Sequence, residues 1–294
     1  MLLRSIHFLS FLMIALSFLV TLAQKPSTNS KDQLLEIGHA NRISAPPDAT
    51  EIKIVSYNIR WRSGKELEQI IDWLKGKGAL PTLIGLQEVD RAKQRSGQTN
   101  NARVLAESLG MYYAWAAPPL PKGSREKEQE TGVELLSPYP LTDITRIVLP
   151  QAGPGGRWRV ALGATIKIGK TALRVYSVHS ETRIPVSQKL GQLRAVLDDL
   201  ARFPKTMPAI VLGDFNSWEL PAIEGIRKLF EGSGFVTPFS DDERTFSRKA
   251  LVFDLELKLD WIWLRELSVK SSGIDRTLTV SDHFPLWTVA RLAN

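Results

Sequence analysis

The residues of this 294-residue chain whose types and placement could do chemistry are carboxylates at Glu88, Asp214, Asp260 and Asp282, amides at Asn58 and Asn216, and imidazoles at His179 and His283. A hard divalent cation takes oxygen ligands, usually one or two carboxylates with water and substrate phosphate completing the shell. The four acids and two amides offer such donors. The two imidazoles lack zinc-site spacing and suit holding or protonating a phosphoryl oxygen. The chain has no cysteine, which excludes thiol nucleophiles, disulfide frameworks, zinc ribbons and CxxC redox chemistry. HExxH, GxxxxGK[ST], GxSxG and GxGxxG are absent, and Gly153-Pro154-Gly155-Gly156 reads as a loop. Taken singly, each candidate also has an ordinary structural role: a strand-end Asp caps a turn, and a lone His satisfies the core.

Position along the chain makes more of them. Ile52 to Asn58 reads as a short strand, and Leu67, Ile70, Ile71 and Leu74 then recur at helical spacing. Leu83 to Leu86 is an apolar strand that ends in Gln87 and Glu88. Val104 to Leu109 suggests a helix stopped by Gly110, followed by a strand from Met111 to Trp115. Four strands are expected at Val133 to Leu136, Ile144 to Leu149, Trp158 to Ile168 and Leu173 to His179, the last two joined by a Gly169-Lys170 turn. Val186, Leu190, Leu193, Val196, Leu197 and Leu200 share one face of the longest helix. Ile210 to Leu212, Leu259 to Leu264 and Phe284 to Leu292 complete the strands. Strands mostly follow strands with helices interspersed, which points to an α+β layered fold of two packed sheets with helices outside. Asn58, Glu88, His179, Asp214, Asn216, Asp282 and His283 stand where apolar runs stop, so separate strands can bring them to one cleft.

The chain is 43% hydrophobic and 23% charged, the composition of a folded globular protein. A net charge of +7 permits a polyanionic partner. Residues 1–23 read as a secretory signal peptide: Arg4, an apolar run from Phe8, then Thr21 and Ala23 at a small-residue cleavage site. The expectation is export to the periplasm or the medium, with an uncleaved membrane anchor as the alternative. Residues 24–50, polar and carrying Pro46 and Pro47, read as a linker and entry arm, and residues 51–294 as one domain.

Ser56-Tyr57-Asn58, Leu86-Gln87-Glu88, Ser177-Val178-His179, Gly213-Asp214-Phe215-Asn216, Leu259-Asp260-Trp261-Ile262 and Ser281-Asp282-His283 resemble, in that order, the motifs of the endonuclease/exonuclease/phosphatase superfamily. The resemblance runs from about Ile52 to Leu292, and Leu86 to Gly110 resembles its uncharacterised bacterial branch. It implies a four-layer α/β sandwich, two packed mixed β-sheets flanked by helices, that hydrolyses phosphoesters with magnesium or manganese. It further implies that Glu88 is the principal metal ligand with Asn58 and Asp282 close by, and that Asp214 activates the attacking water. Asn216 would hold that water or a phosphate oxygen, and His179 and His283 would bind nonbridging oxygens. Asp260 would fix His283, and Glu130, placed like an acid of pancreatic-type deoxyribonucleases, would partner His179.

Glu134 departs from the family pattern, which has a small residue there; inside an apolar strand its carboxylate must be paired, ligated or on the outer face. The shared motifs identify a reaction and not a substrate. Arg91, Lys93 and Arg95 just beyond Glu88, and Lys122, Arg125 and Lys127 in a following loop, favour nucleic acid over phospholipid, with Arg91, Arg95 and Trp218 as candidate substrate contacts. Trp61 and Trp158 could stack on bases, touch lipid or fill the core. A phospholipid phosphodiesterase such as a sphingomyelinase would need an apolar hairpin, and none is evident in the sequence. A phosphatase or a non-catalytic binding module are the remaining alternatives. The protein is expected to act as a monomer without an obligate protein partner.

Overall fold

In a computed structural model, residues 34–43, 50–76, 80–120, 130–250 and 253–292 are described. The signal segment, most of the entry arm and the Lys122, Arg125 and Lys127 loop lie outside the described residues. No described helix is long and apolar enough to cross a membrane.

The first half of the chain contributes β1 (Leu35–His39), β2 (Glu51–Asn58), α1 (Gly64–Lys75), β3 (Leu83–Arg91), α2 (Asn101–Leu109), β4 (Tyr112–Ala116) and β5 (Glu130–Ser137). There follow β6 (Thr142–Val148), β7 (Val160–Ile168), β8 (Thr171–His179), α3 (Val186–Leu200), β9 (Ala209–Asp214) and α4 (Leu220–Glu231). The chain closes with β10 (Phe246–Ala250), β11 (Phe253–Leu257), β12 (Asp260–Arg265), β13 (Leu267–Ile274) and β14 (Leu286–Leu292). A seven-stranded sheet runs β1-β4-β5-β3-β2-β14-β13 and a five-stranded sheet runs β12-β9-β8-β7-β6. Pairing is antiparallel except for β2 with β3 and β8 with β9, so both sheets are mixed.

Side-chain alternation sorts the core into three layers. On β2, Ile52 and Ile54 face the second sheet while Val55 and Tyr57 face α1 and α2. Leu67, Ile70, Ile71 and Leu74 of α1 bury against that outer face, and Gly76 with φ +40 ends the helix. Asn100 caps α2 by accepting from the Arg103 amide, and Gly110 in the left-handed region stops it. On the other side Leu193, Val196 and Leu200 of α3 and Ile223, Ile226 and Phe230 of α4 cover the second sheet. The result is the expected four-layer sandwich.

Strands β1, β10, β11 and β13 and helix α4 were not legible. The entry arm contains β1, which pairs with β4 at the edge of the large sheet, so ordered structure precedes Glu51. Helix α4 carries Gly225 mid-span, which reads as a breaker; a Cβ there would come within 2.7 Å of Leu190 on α3, so the glycine lets the helices meet. The two-stranded β10–β11 hairpin stands apart from both sheets and supplies the kind of projecting ribbon that the sequence did not show.

Candidate active site

Strand register builds the site. His179 ends β8 beside Asp214, which ends β9, and Asp214 pairs in turn with Asp260 at the start of β12. Three neighbouring strands thus present three functional side chains at one edge. Asn58 ends β2 in the other sheet, and its Nδ2 donates to Asp214 Oδ2 at 3.0 Å, tying the two sheets together. Ser281 Oγ donates to the Asn58 carbonyl, holding Asp282 and His283 over the same cleft. Glu88 reaches it through a bulge in β3: the register with β5 slips between Gln87 and Val89, and Glu88 adopts φ +57. Arg60, Trp61 and Asn216 also have positive φ, so strained backbone gathers around this cleft.

Asp214 is fully enclosed. Its Oδ1 accepts from the Asn216 amide at 2.9 Å. Burial, aided by the neighbouring Asp260 carboxylate, pushes its carboxyl up to about 7 although His283, Asn216 and Asn58 oppose this. His283 Nδ1 donates to Asp260 Oδ2 at 2.8 Å, and its Nε2 lies 3.8 Å from Asp214 Oδ2. Burial pulls this imidazole down, yet the Asp260 and Asp214 carboxylates carry it up to about 10, so it is an imidazolium at neutral pH. Phe246 of the β10–β11 hairpin meets the ring edge-on at 5.0 Å.

His179 differs from its expected setting. Its Nδ1 faces Arg159 Nη1 at 3.3 Å, and because a guanidinium only donates, Nδ1 accepts and the proton sits on Nε2. That Nε2 points at Asp214 Oδ2 at 3.6 Å and Glu88 Oε1 at 3.8 Å. Burial and the Arg159 charge hold the ring well below the ordinary histidine range, so it stays neutral. Glu130 is not its partner: that carboxylate accepts from Arg91 Nε and Nη2 at 3.3 and 3.2 Å. Arg91 is not a cleft residue either. Downstream of the bulge it shares a face with Val89, and it packs over Trp115 while pairing with Glu36 and Glu130. Arg95 forks onto Asp90 at 2.8 and 2.9 Å and lies over Trp61, but it does line the groove beside Glu88. Trp218 is 39% exposed and lines the cleft, with the Lys189 ammonium 4.5 Å from its ring.

Glu134 lies on the outer, helix-side face of its sheet, in register with Leu86 and Trp115, and that face is covered there. It is 0% exposed, neither oxygen has a hydrogen-bond partner among the described residues, and burial followed by the nearby Glu36 charge holds it well above the ordinary carboxyl range.

Two groups of residues compete as a metal site. Asp214, Asp260 and His283 lie close enough to share an ion, but the short His283–Asp260 contact needs a proton between the two atoms. Glu88 instead has a buried Oε2 with no hydrogen-bond partner among the described residues, and the residue lines a cleft together with Asp282. Asn58 Oδ1 accepts only the Arg60 amide among the described residues, leaving a lone pair. Glu88, Asn58 and Asp282 are all oxygen donors, which fits magnesium or manganese, and Asp282 Oδ2 is already paired with Arg60 Nη1 at 3.1 Å.

Two spaces meet here. A cleft of about 320 Å³ is lined by Glu88, His179, Asp214, Asn216, Asp282 and His283, with Trp218, Phe246, Leu255 and Leu257 as its apolar wall. A groove of about 270 Å³ shares Trp61, Glu88, Arg159 and His179 with it and adds Lys93, Arg95, Arg157, Trp158 and Glu130. Arg157, Arg159 and their buried partner Glu181 were missed in the sequence; the signal was a basic pair flanking Trp158 and an acid two residues past His179.

Residues 55–283 match the Endonuclease/Exonuclease/phosphatase family. Among solved structures, an endonuclease/exonuclease/phosphatase from Beutenbergia cavernae aligns with a TM-score of 0.66 at 17% identity, over 83% of this chain and 72% of that one. D. rerio TDP2 complexed with single strand DNA product aligns at 0.60 and 14% identity, over 83% of this chain and 100% of that one. ANGEL2, a 2′,3′-cyclic phosphatase, aligns at 0.60 and 16%, over 88% and 98%. These show a shared fold. A UPF0294 protein of Vibrio vulnificus is 35% identical over 80 residues, 27% of this chain, and the chain spans about a quarter (26%) of that relative's length.

Proposed function

This chain belongs to the endonuclease/exonuclease/phosphatase family, whose members are phosphoester hydrolases, and from that premise we propose that it is an exported, metal-dependent phosphodiesterase acting on nucleic acid. The observation that carries the substrate is the groove that opens from Glu88 and His179, with Lys93, Arg95, Arg157 and Arg159 set against Glu88 and Glu130. Guanidiniums and an ammonium along a groove beside the reacting phosphate suit a phosphate backbone, with Asp90 and Glu181 offsetting part of their charge, and Trp61 and Trp158 in its wall suit bases.

In this reading Glu88, Asn58 and Asp282 would hold magnesium or manganese, which would supply positive charge at the reacting phosphate. Asp214, with its carboxyl near 7, takes the proton of the attacking water, and the Asn216 amide oxygen or nitrogen orients that water. The His283 imidazolium, fixed by Asp260, and the neutral Nε2–H of His179 donate to the nonbridging oxygens as negative charge develops. Attack is in line, with inversion at phosphorus. The protein works as a monomer, and residues 1–23 direct it across the membrane.

A phospholipid phosphodiesterase is the second reading. The observation in its favour is the β10–β11 hairpin, whose Leu255 is exposed beside Phe246 and Leu257 on the cleft wall. Incubating the purified mature protein with plasmid DNA, RNA and sphingomyelin, each with magnesium, manganese or EDTA, separates the two. Nucleic acid cleaved in metal and spared in EDTA is the expected result; turnover of lipid alone rejects the nuclease reading.

A further inference from the structure

Arg157 and Arg159 are organised by a carboxylate that the chemistry above does not use. Glu181 is 0% exposed, and its Oε2 accepts from Arg157 Nε at 2.9 Å and Arg159 Nε at 3.1 Å, while Arg157 Nη2 also donates to its Oε1. The amides of Thr182 and Arg183 donate to Oε1 at 3.0 and 3.2 Å, and the Glu181 amide is tied to Gln192. Gly153 makes room for it: a Cβ there would lie 2.5 Å from the Glu181 carboxyl carbon. Burial opposes ionisation, yet the two guanidiniums hold the carboxyl down at about 2, so it stays charged. One fixed anion thus presents two guanidiniums, a net positive charge, in the groove wall.

Each guanidinium keeps an unused edge. Among the described residues, Nη1 of Arg157 and Nη2 of Arg159 make no hydrogen bond. Arg159 reaches His179 Nδ1 through Nη1, so the pair stands one imidazole ring from the reacting centre. Guanidinium edges held at a fixed spacing are suited to phosphate oxygens, and burying a carboxylate to hold them there costs desolvation that a purely structural role could avoid with apolar residues.

We propose that Arg157 and Arg159, clamped on Glu181, form a second phosphate subsite, so that the protein prefers esters carrying another phosphate next to the scissile one. The proposal rests on the phosphodiesterase reading above. Wild type, Arg157→Gln and Glu181→Gln are assayed with magnesium or manganese on thymidine 5′-(p-nitrophenyl phosphate) and on its 3′-phosphorylated counterpart, which differ only in the second phosphate. The expected kcat/KM ratio, phosphorylated over unphosphorylated, is about tenfold or more in the wild type, from one charge-assisted contact. It falls to about one to three in both variants. General damage to the fold lowers both substrates together and leaves the ratio where it was. A wild-type ratio near one, or a ratio that survives in Arg157→Gln, overturns the subsite. Binding reads it again without turnover: inorganic pyrophosphate is titrated into wild type and Arg157→Gln in EDTA at low salt. Binding about tenfold weaker in the variant supports the subsite, and equal binding overturns it. A wild type that binds pyrophosphate through Arg157 but hydrolyses neither ester upholds the subsite and rejects the phosphodiesterase reading.

Discussion

Replacing Glu134 by Gln should make the protein more stable than the wild type as pH rises, without touching the cleft. Both Glu134 oxygens are buried without a hydrogen-bond partner among the described residues, and burial favours the protonated carboxyl in the folded chain. The unfolded chain ionises the same group near its ordinary value of 4.5. A carboxyl raised on folding contributes stability that is fully present below the unfolded value and is lost as pH rises above it. Above that value each pH unit costs the wild type up to about 1.4 kcal/mol, until the folded carboxyl itself titrates or water reaches it. Gln keeps the shape and neutrality of the protonated acid and removes the proton linkage. The two proteins should therefore unfold together near pH 4.5 and diverge toward pH 8, with about 2–4 °C in Tm per kcal/mol for a domain of this size. Glu134→Leu should gain a further increment of about 1–3 kcal/mol at every pH, because it also removes the unsatisfied polar atoms. Denaturant or thermal unfolding of the three proteins across this range measures the effect. Parallel wild-type and Gln curves from pH 5 to 8 would refute the reasoning, since they require a Glu134 that is ionised and compensated.

The remaining predictions concern the cleft and its supports. Asp214→Asn and His283→Ala should each lower kcat by about 10²–10⁴ with circular dichroism unchanged, and His283→Ala should also lower Tm because it leaves the buried Asp260 carboxylate without its cation. In the wild type kcat/KM should rise with pH through about 7, as the Asp214–His283 pair frees the base, and fall only near 10 as the imidazolium is lost. Asp260→Asn should draw that upper limb down toward the ordinary histidine range, read from the pH profile of kcat/KM; an unmoved limb would mean that Asp260 does not hold His283 protonated. Gly213→Ala should destabilise by about 3 kcal/mol or more in urea unfolding, because a Cβ at φ +136 would overlap the Val178 carbonyl across the β8–β9 pair.

Much of the scaffold was legible because its helices and inner strands bury one face or both. Leu67, Ile70, Ile71 and Leu74 marked α1, and the apolar runs of β3 and β9 ended where the functional residues begin. Elements without that contrast were hidden. Strand β13 is exposed along most of its length, β1 turns a charged Glu36 toward Arg91 and Tyr113, and α4 carries a glycine required by a neighbouring helix. Strand ends also foretold which side chains converge, since His179, Asp214 and Asp260 are neighbours by register. Partners across the cleft were another matter. Glu130 lies at the expected offset, but the bulge at Glu88 sends Arg91 to the helix face, where it takes that carboxylate. His179 is left against Arg159, at the start of a segment read as the strand Trp158 to Ile168, where the basic pair flanking Trp158 was the signal. Side-chain pairing of this kind depends on which face a bulge selects, and spacing alone does not carry that information.

The central claim is that Glu88 and Asp214 serve one metal-dependent hydrolysis. Its most direct test is turnover of bis-p-nitrophenyl phosphate by the wild type, Glu88→Gln and Asp214→Asn, with magnesium, with manganese and with EDTA. The wild type should turn over in metal alone, EDTA should abolish turnover with recovery on adding the metal back, and both variants should lose about 10²-fold or more. Wild-type turnover that persists in EDTA, or that survives both substitutions, would contradict it.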